Sequence, residues 1–132
     1  MTNHLEEMEF INNVVESFYD DAKTDIIIGY HFRHIKNFST HIPKIQRFWY
    51  LILLDLDPKQ KKEIQSKGTP KNVILSHQYL KIKPVEVGRW VTLFNAALDR
   101  STTAKHLDLI RKWKSEIDKF QKIFLKSPVL FS

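Results

Sequence analysis

The chain has no cysteine and few glycines, and each shortage narrows the classes of protein to which it can belong. Without a thiol it forms no disulfide, no thiolate zinc site, no iron–sulfur cluster and no thioether link to a cofactor. With 3 Gly, 42% hydrophobic and 12% aromatic residues, the composition is that of a packed globular protein. We expect one domain over residues 1–132, which buries roughly two-thirds of its unfolded surface.

Long hydrophobic runs are also missing. No stretch approaches the roughly 20 apolar residues that a membrane-spanning helix needs. Residues 2–7 are acidic, whereas a secretory signal is basic and then hydrophobic. The sequence therefore predicts a cytoplasmic protein with no membrane partner.

The charge is positive but thinly spread. The formal net charge is +6, which would favour binding to phosphates if the cations were concentrated in one place. The densest run is 59–63, followed by Lys67 and Lys71, and it lies between Pro58 and Pro70. We interpret this run as a solvated surface and expect no nucleic-acid partner.

Apolar residues recur at helical spacing through most of the chain, which predicts an all-α fold. The predicted helices cover 8–19, about 40–54, a segment that begins at Lys83-Pro84, and a last segment that ends before Pro128. A short turn or helix is expected near 25–30. Ser39 or Thr40 is expected to cap the second helix, with Pro43 in its first turn. Residues 55–70 are expected to be a mobile connector that can contain a helical turn.

One histidine stands where a metal ligand would be useful. His77 precedes a helix whose apolar face begins at Trp90, and an opposite wall is available from Tyr19 and from a helical stripe that starts at His41. A single imidazole leaves the second axial position of a haem iron open to a gas, and an apolar wall keeps water away. The pattern therefore predicts a haem that is held without a covalent bond.

The order and spacing of several short motifs resemble the truncated haemoglobins, and specifically their third group. The resemblance is strongest over 11–98, and the glycine-pair motifs of the other two groups are missing. The motifs that carry it are Phe18-Tyr19, Asp25 to Gly29 followed by Phe32, His41 ahead of Phe48-Trp49, and His77 ahead of Arg89-Trp90 and Leu93-Phe94.

The resemblance implies a shortened globin fold, a two-on-two helical sandwich around haem b (iron protoporphyrin IX). It makes His77 the proximal iron ligand and places Tyr19, His41 and Trp90 on the distal side. His41 either gates the entry of ligands or closes onto the iron. The other expected haem contacts are Phe32, Lys44 (near a propionate), Ile45, Phe48, Leu80, Ile82, Val87 and Phe94.

Two classes of function follow from these expectations. The first is a monomeric haem protein that binds oxygen, nitric oxide or carbon monoxide at a five-coordinate iron. Such a protein could also act as a nitric oxide dioxygenase or a peroxidase-like enzyme, with an external reductase, because the chain has no flavin or nicotinamide domain. The alternative is a haem-free, basic, all-α interaction module that docks through its Lys-rich connector.

A zinc site is a weaker alternative. His31 and His34 are spaced to share a metal on one helix face, with Asp25 or His41 nearby. No further ligand arrives at a recognisable spacing, so the sequence favours haem.

Overall fold

Helices account for all regular structure in the part of the chain that the computed structural model describes, which is residues 4–33, 35–70 and 82–126. In order, the α-helices are α1 Leu5–Ala22, α2 Phe38–Leu53, α3 Pro58–Ser66, α4 Pro84–Arg100 and α5 Leu107–Lys126. Short 3-10 helices lie at Gly29–Phe32 and Ala104–His106. The prediction of an all-α fold is confirmed for these ranges. None of the described helices has the length and apolar character needed to cross a membrane.

The core lies where α1, α2, α4 and α5 meet. Helix α1 packs against α2 and α4, and α4 packs against α5. Trp113 of α5 is fully buried, with its ring centroid 5.4 Å from that of Trp49 and 5.5 Å from that of Phe94. Aromatic pairs at such distances contribute about 0.5–1.5 kcal/mol each beyond the burial of their area. This cluster therefore joins α2, α4 and α5 at one level of the bundle.

The start of α2 differs from the prediction. Asn37, and neither Ser39 nor Thr40, is the N-cap, and its side-chain oxygen accepts the backbone N–H of Ser39. Because the helix begins earlier than expected, Pro43 lies inside it and not in the first turn. The prediction overlooked that Asn caps a helix as well as Ser or Thr does.

The expected connector 55–70 contains a helix, α3. Asp57 caps it through the backbone N–H of Gln60, and the Gln60 side chain accepts the backbone N–H of Asp57. This capping box offsets the lack of an apolar stripe. Gly68 then adopts φ +106°, which a side chain would strain, and its carbonyl accepts the Arg47 Nε–H at 2.7 Å. The turn directs the chain back towards α2.

The segment between α1 and α2, residues 23–37, is held to α4 by Asp25. The Oδ1 atom of Asp25 accepts two hydrogen bonds from Arg89, at 2.9 and 2.6 Å. Its Oδ2 atom accepts the backbone N–H groups of Ile27 and Ile28 at 3.0 and 3.1 Å. The Asp25 carboxylate thus stabilises the turn at residues 25–28 and also attaches that turn to α4. We call residues 23–37 the α1–α2 segment.

The Asn37→Ala variant tests the helix cap. It should lower the free energy of unfolding by about 1 kcal/mol, because a backbone N–H of α2 loses its acceptor. Thr40→Ala is the matched control, because Thr40 is exposed and does not cap the helix. Urea denaturation measures both variants, and an equal loss of stability in the two would contradict the assignment.

Candidate functional site

A cavity of about 380 Å³ opens between the helices on the side of the bundle next to the core. This volume falls within the range of about 300–1,000 Å³ that is usual for small-molecule sites. Its walls are mostly apolar and aromatic. The residues that line it are Phe18, Tyr19, Ile28, His31, Phe32, Ile35, His41, Lys44, Ile45, Phe48, Trp49, Thr69, Pro70, Ile82, Glu86, Val87, Trp90, Phe94, Phe120 and Phe124.

The structure brings the predicted site residues together. Every one that falls in the described ranges lines this cavity: Tyr19, Phe32, His41, Lys44, Ile45, Phe48, Ile82, Val87, Trp90 and Phe94. The other two predicted residues, His77 and Leu80, lie outside the described residues. The predicted set comes from α1, the α1–α2 segment, α2, α4 and Ile82 just before α4, so their meeting at one place is a property of the fold.

Tyr19 and His41 form a polar pair inside this apolar space. The phenol oxygen of Tyr19 lies 2.9 Å from Nε2 of His41, and the two rings meet edge to face. Tyr19 is 6% exposed, and burial raises the pKa of its phenol well above the ordinary value. The phenol therefore keeps its hydrogen at neutral pH, and it can act as a hydrogen-bond donor.

The direction of this hydrogen bond decides what else the phenol can do. When Nε2 of His41 has no hydrogen, Tyr19 donates its O–H to that nitrogen. When Nε2 carries a hydrogen, His41 donates to the Tyr19 oxygen, and the phenol hydrogen is available to a third group in the cavity. The tautomer of His41 therefore determines whether the Tyr19 hydroxyl can donate to another group in the cavity.

Trp90 is the third predicted polar group of the wall. It lies one turn before Phe94 on α4, and its ring centroid is 5.5 Å from that of Phe94 and 6.2 Å from that of Phe18. Its indole N–H can only donate a hydrogen bond. The packing around the ring fixes the indole at the wall of the cavity.

Lys44 supplies a positive charge at the cavity. It is exposed, although part of its side chain reaches the cavity wall one turn from His41. A lysine with an apolar stem and a hydrated head suits the boundary between an apolar cavity and solvent. An anionic group at the edge of a bound ligand would be stabilised there.

Sequence reasoning missed a second polar cluster in the wall. Glu86 of α4 is 4% exposed and receives hydrogen bonds from Tyr30 and His31 of the α1–α2 segment. One signal was available, because Glu86, Trp90 and Phe94 follow one another at intervals of four on the face that contains the cavity residues.

The zinc alternative gains no support from this arrangement. His31 is bound to Glu86, Asp25 is bound to Arg89, and His34 lies outside the described residues. Within the described ranges, no group of three or more histidine and carboxylate side chains could hold a metal ion.

Comparison with known proteins identifies no family. No protein-family model matches the chain, and neither does any curated protein or solved structure.

The Asp25→Asn variant tests how the wall is held. Arg89 lowers the pKa of Asp25 below its ordinary value near 3.8, and burial opposes that shift. A lowered pKa stabilises the fold fully above the ordinary value, and this contribution is lost as the pH falls through the lowered pKa. Wild type should be more stable than Asp25→Asn at pH 7, and the difference should shrink below about pH 4.

Thermal unfolding as a function of pH measures this difference. Asp21→Asn is the control, because the Asp21–Arg100 pair is much more exposed and such pairs contribute little. A difference between wild type and Asp25→Asn that did not change with pH would show that the charge of Asp25 does not hold the wall.

Proposed function

We propose that the chain is a haem protein similar to the truncated haemoglobins, and that it binds oxygen and other diatomic ligands in the cavity. One observation carries the proposal. Residues chosen from the sequence for their expected haem contacts, in separate segments of the chain, line a single cavity wherever they are described.

The residues of the cavity fit a haem in chemical character. A porphyrin has flat apolar faces and anionic propionates on one edge. The cavity offers aromatic walls from Phe48 and Phe94, and a cation from Lys44. Helix α1 contacts α2 and α4, and α4 contacts α5, and these contacts support the two-on-two sandwich that we propose. These features support the proposal independently of the axial ligand.

We assign the axial ligand to His77. This residue lies outside the described ranges, but Pro70 and Ile82, which bound the segment 71–81, both line the cavity. A residue spans at most about 3.6 Å, so the Cα atom of His77 lies within about 18 Å of that of Ile82. Covalent connectivity is therefore compatible with the assignment of His77 as the axial ligand.

The haem, when bound, supplies an iron with one position open to a gas. The chain supplies the surroundings of that position. Tyr19, held by His41, and the indole of Trp90 would donate hydrogen bonds to a partly charged ligand. Such bonds are worth roughly 1.5–3 kcal/mol, which slows ligand release about tenfold to a hundredfold. Slow release of the ligand favours its retention or its chemical conversion over rapid delivery. For conversion, nitric oxide or a peroxide would be the co-substrate, and an external reductase would restore the iron.

The second candidate is a haem-free basic module. The lysines of α3, Lys59, Lys61 and Lys62, are all exposed, and so is Lys67 just after the helix. They form a cationic surface that could meet an acidic partner. The cavity does not enter this candidate, so its occupancy separates the two.

The optical spectrum of the purified protein tests the proposal. Protein expressed with a supply of haem should show a Soret band that shifts when carbon monoxide binds to the reduced form. The absence of a Soret band would overturn the haem proposal and leave the basic module.

The Tyr19→Phe variant tests the ligand-stabilising pair. Loss of the hydroxyl should speed oxygen dissociation about tenfold to a hundredfold, because a hydrogen bond to a charged acceptor is lost. Tyr50→Phe is the matched control, because the Tyr50 phenol donates to Asn12 and lies outside the cavity wall. Stopped-flow dissociation measures both rates, and equal rates in wild type and Tyr19→Phe would show that Tyr19 is not the donor.

A further inference from the structure

The cluster around Glu86 is a second polar centre in the cavity wall, separate from the Tyr19–His41 pair. The His31 Nε2 atom lies 3.0 Å from Glu86 Oε2, and the Tyr30 phenol donates to the same oxygen. The other carboxylate oxygen, Oε1, accepts the backbone N–H of Lys83 at 2.8 Å. The side chains of His31 and Glu86 are 9% and 5% exposed. The carboxylate is thus nearly enclosed, and all its partners are donors.

The protonation of the pair follows from these contacts. Burial acts to raise the pKa of Glu86, but the hydrogen bonds from Tyr30 and the Lys83 backbone, together with His31, outweigh burial and hold the pKa below its ordinary value. An ionised carboxylate accepts hydrogen bonds only, so Nε2 of His31 carries a hydrogen. In the neutral ring, Nδ1 then has the lone pair and is the basic atom.

Glu86 therefore orients the His31 ring, with Nε2 directed at the carboxylate. In the Ser-His-Asp triad, a carboxylate that accepts one N–H of an imidazole orients the histidine that acts as general acid and base in the same way. Both residues line the cavity. A histidine in this setting can take up a proton and return it to a group inside the cavity.

The pair also has a connection to solvent. Tyr30 is 41% exposed, and its phenol binds the buried carboxylate. On the other side, Glu86 precedes Trp90 by four residues of α4, a rise of about 6 Å. The hydrogen-bonded groups Tyr30, Glu86 and His31 thus extend from the surface to the wall beside the expected distal residues.

We propose that His31 and Glu86 form an acid–base dyad that supplies protons to the cavity, and that the reaction it serves is the reduction of a peroxide. The inference rests on the proposed haem function. Reduction of hydrogen peroxide breaks the O–O bond and consumes two electrons and two protons to give two waters. The electrons come from an external one-electron reductant, and the protons come from solvent through the dyad.

The competing reaction has no such need. Oxygen, nitric oxide and one electron, which the external reductant replaces, give nitrate: a new N–O bond forms, the O–O bond breaks, and no proton is consumed. A route for protons is therefore useful to peroxide reduction and irrelevant to nitric oxide dioxygenation. This difference in stoichiometry gives a test within one protein.

The test compares both reactions in haem-loaded Glu86→Gln and His31→Leu. Peroxide reduction with a phenolic electron donor should fall about a hundredfold in each, the usual loss when a proton-transfer group is removed. Consumption of nitric oxide by the oxygenated protein should fall far less, because that reaction consumes no proton. Glu63→Gln, on the exposed surface of α3, should alter neither reaction. An equal loss in both reactions would indicate a structural role for Glu86 and overturn the dyad.

A measurement without haem tests the contact itself. The hydrogen bond to Glu86 raises the pKa of the Tyr30 phenol. Absorbance titration of the apoprotein, with Tyr30→Phe to identify the signal, should show that this pKa falls in Glu86→Gln, and an unchanged pKa would overturn the contact.

The two proposals can fail separately. A protein that takes up no haem overturns the proposed function and the peroxide role together. A haem-loaded protein in which Glu86→Gln and His31→Leu both reduce peroxide at the wild-type rate overturns only the dyad.

Discussion

The contact of Trp113 with Trp49 and Phe94 sets the boundary between the packed core of the bundle and its cavity. These rings fill the space between α2, α4 and α5, and α1 closes the core with side chains that are wholly buried. Trp49 and Phe94 also line the cavity, so the same rings end the core and begin the site. The cavity is therefore fixed by the packing that stabilises the fold, and its shape does not depend on loops alone.

Two hydrogen-bonded polar pairs lie in the wall of this mostly apolar cavity, and apolar packing alone does not explain them. Tyr19 and His41 bridge α1 and α2, whereas His31 and Glu86 bridge the α1–α2 segment and α4. Burying such groups costs free energy unless they are hydrogen-bonded, and each of them is. In our proposal, the first pair donates a hydrogen bond to a small ligand and the second pair supplies protons.

The sequence predicted the features that depend on the spacing of apolar residues within a single helix. The helices and the meeting of Tyr19, His41 and Trp90 follow from apolar periodicity and from a family resemblance. The length of helix α3 was underestimated, as at most a helical turn within a connector, because the helix lacks an apolar stripe and begins at a local capping box at Asp57. The His31–Glu86 contact escaped because it joins residues 55 positions apart, and no local rule pairs them. Tertiary contact alone could reveal it.

Coordination of haem by residue 77 is the claim on which the proposed chemistry depends, and transfer of haem to an acceptor protein measures it most directly. Purified haem-loaded protein is mixed with excess apomyoglobin, and the Soret band is followed for wild type, His77→Ala and His106→Ala. His106 stacks on Phe10 and lies outside the cavity wall, which makes it a suitable control. The account predicts rapid loss of haem from His77→Ala and retention by the other two. Retention and an unaltered spectrum in His77→Ala would contradict it.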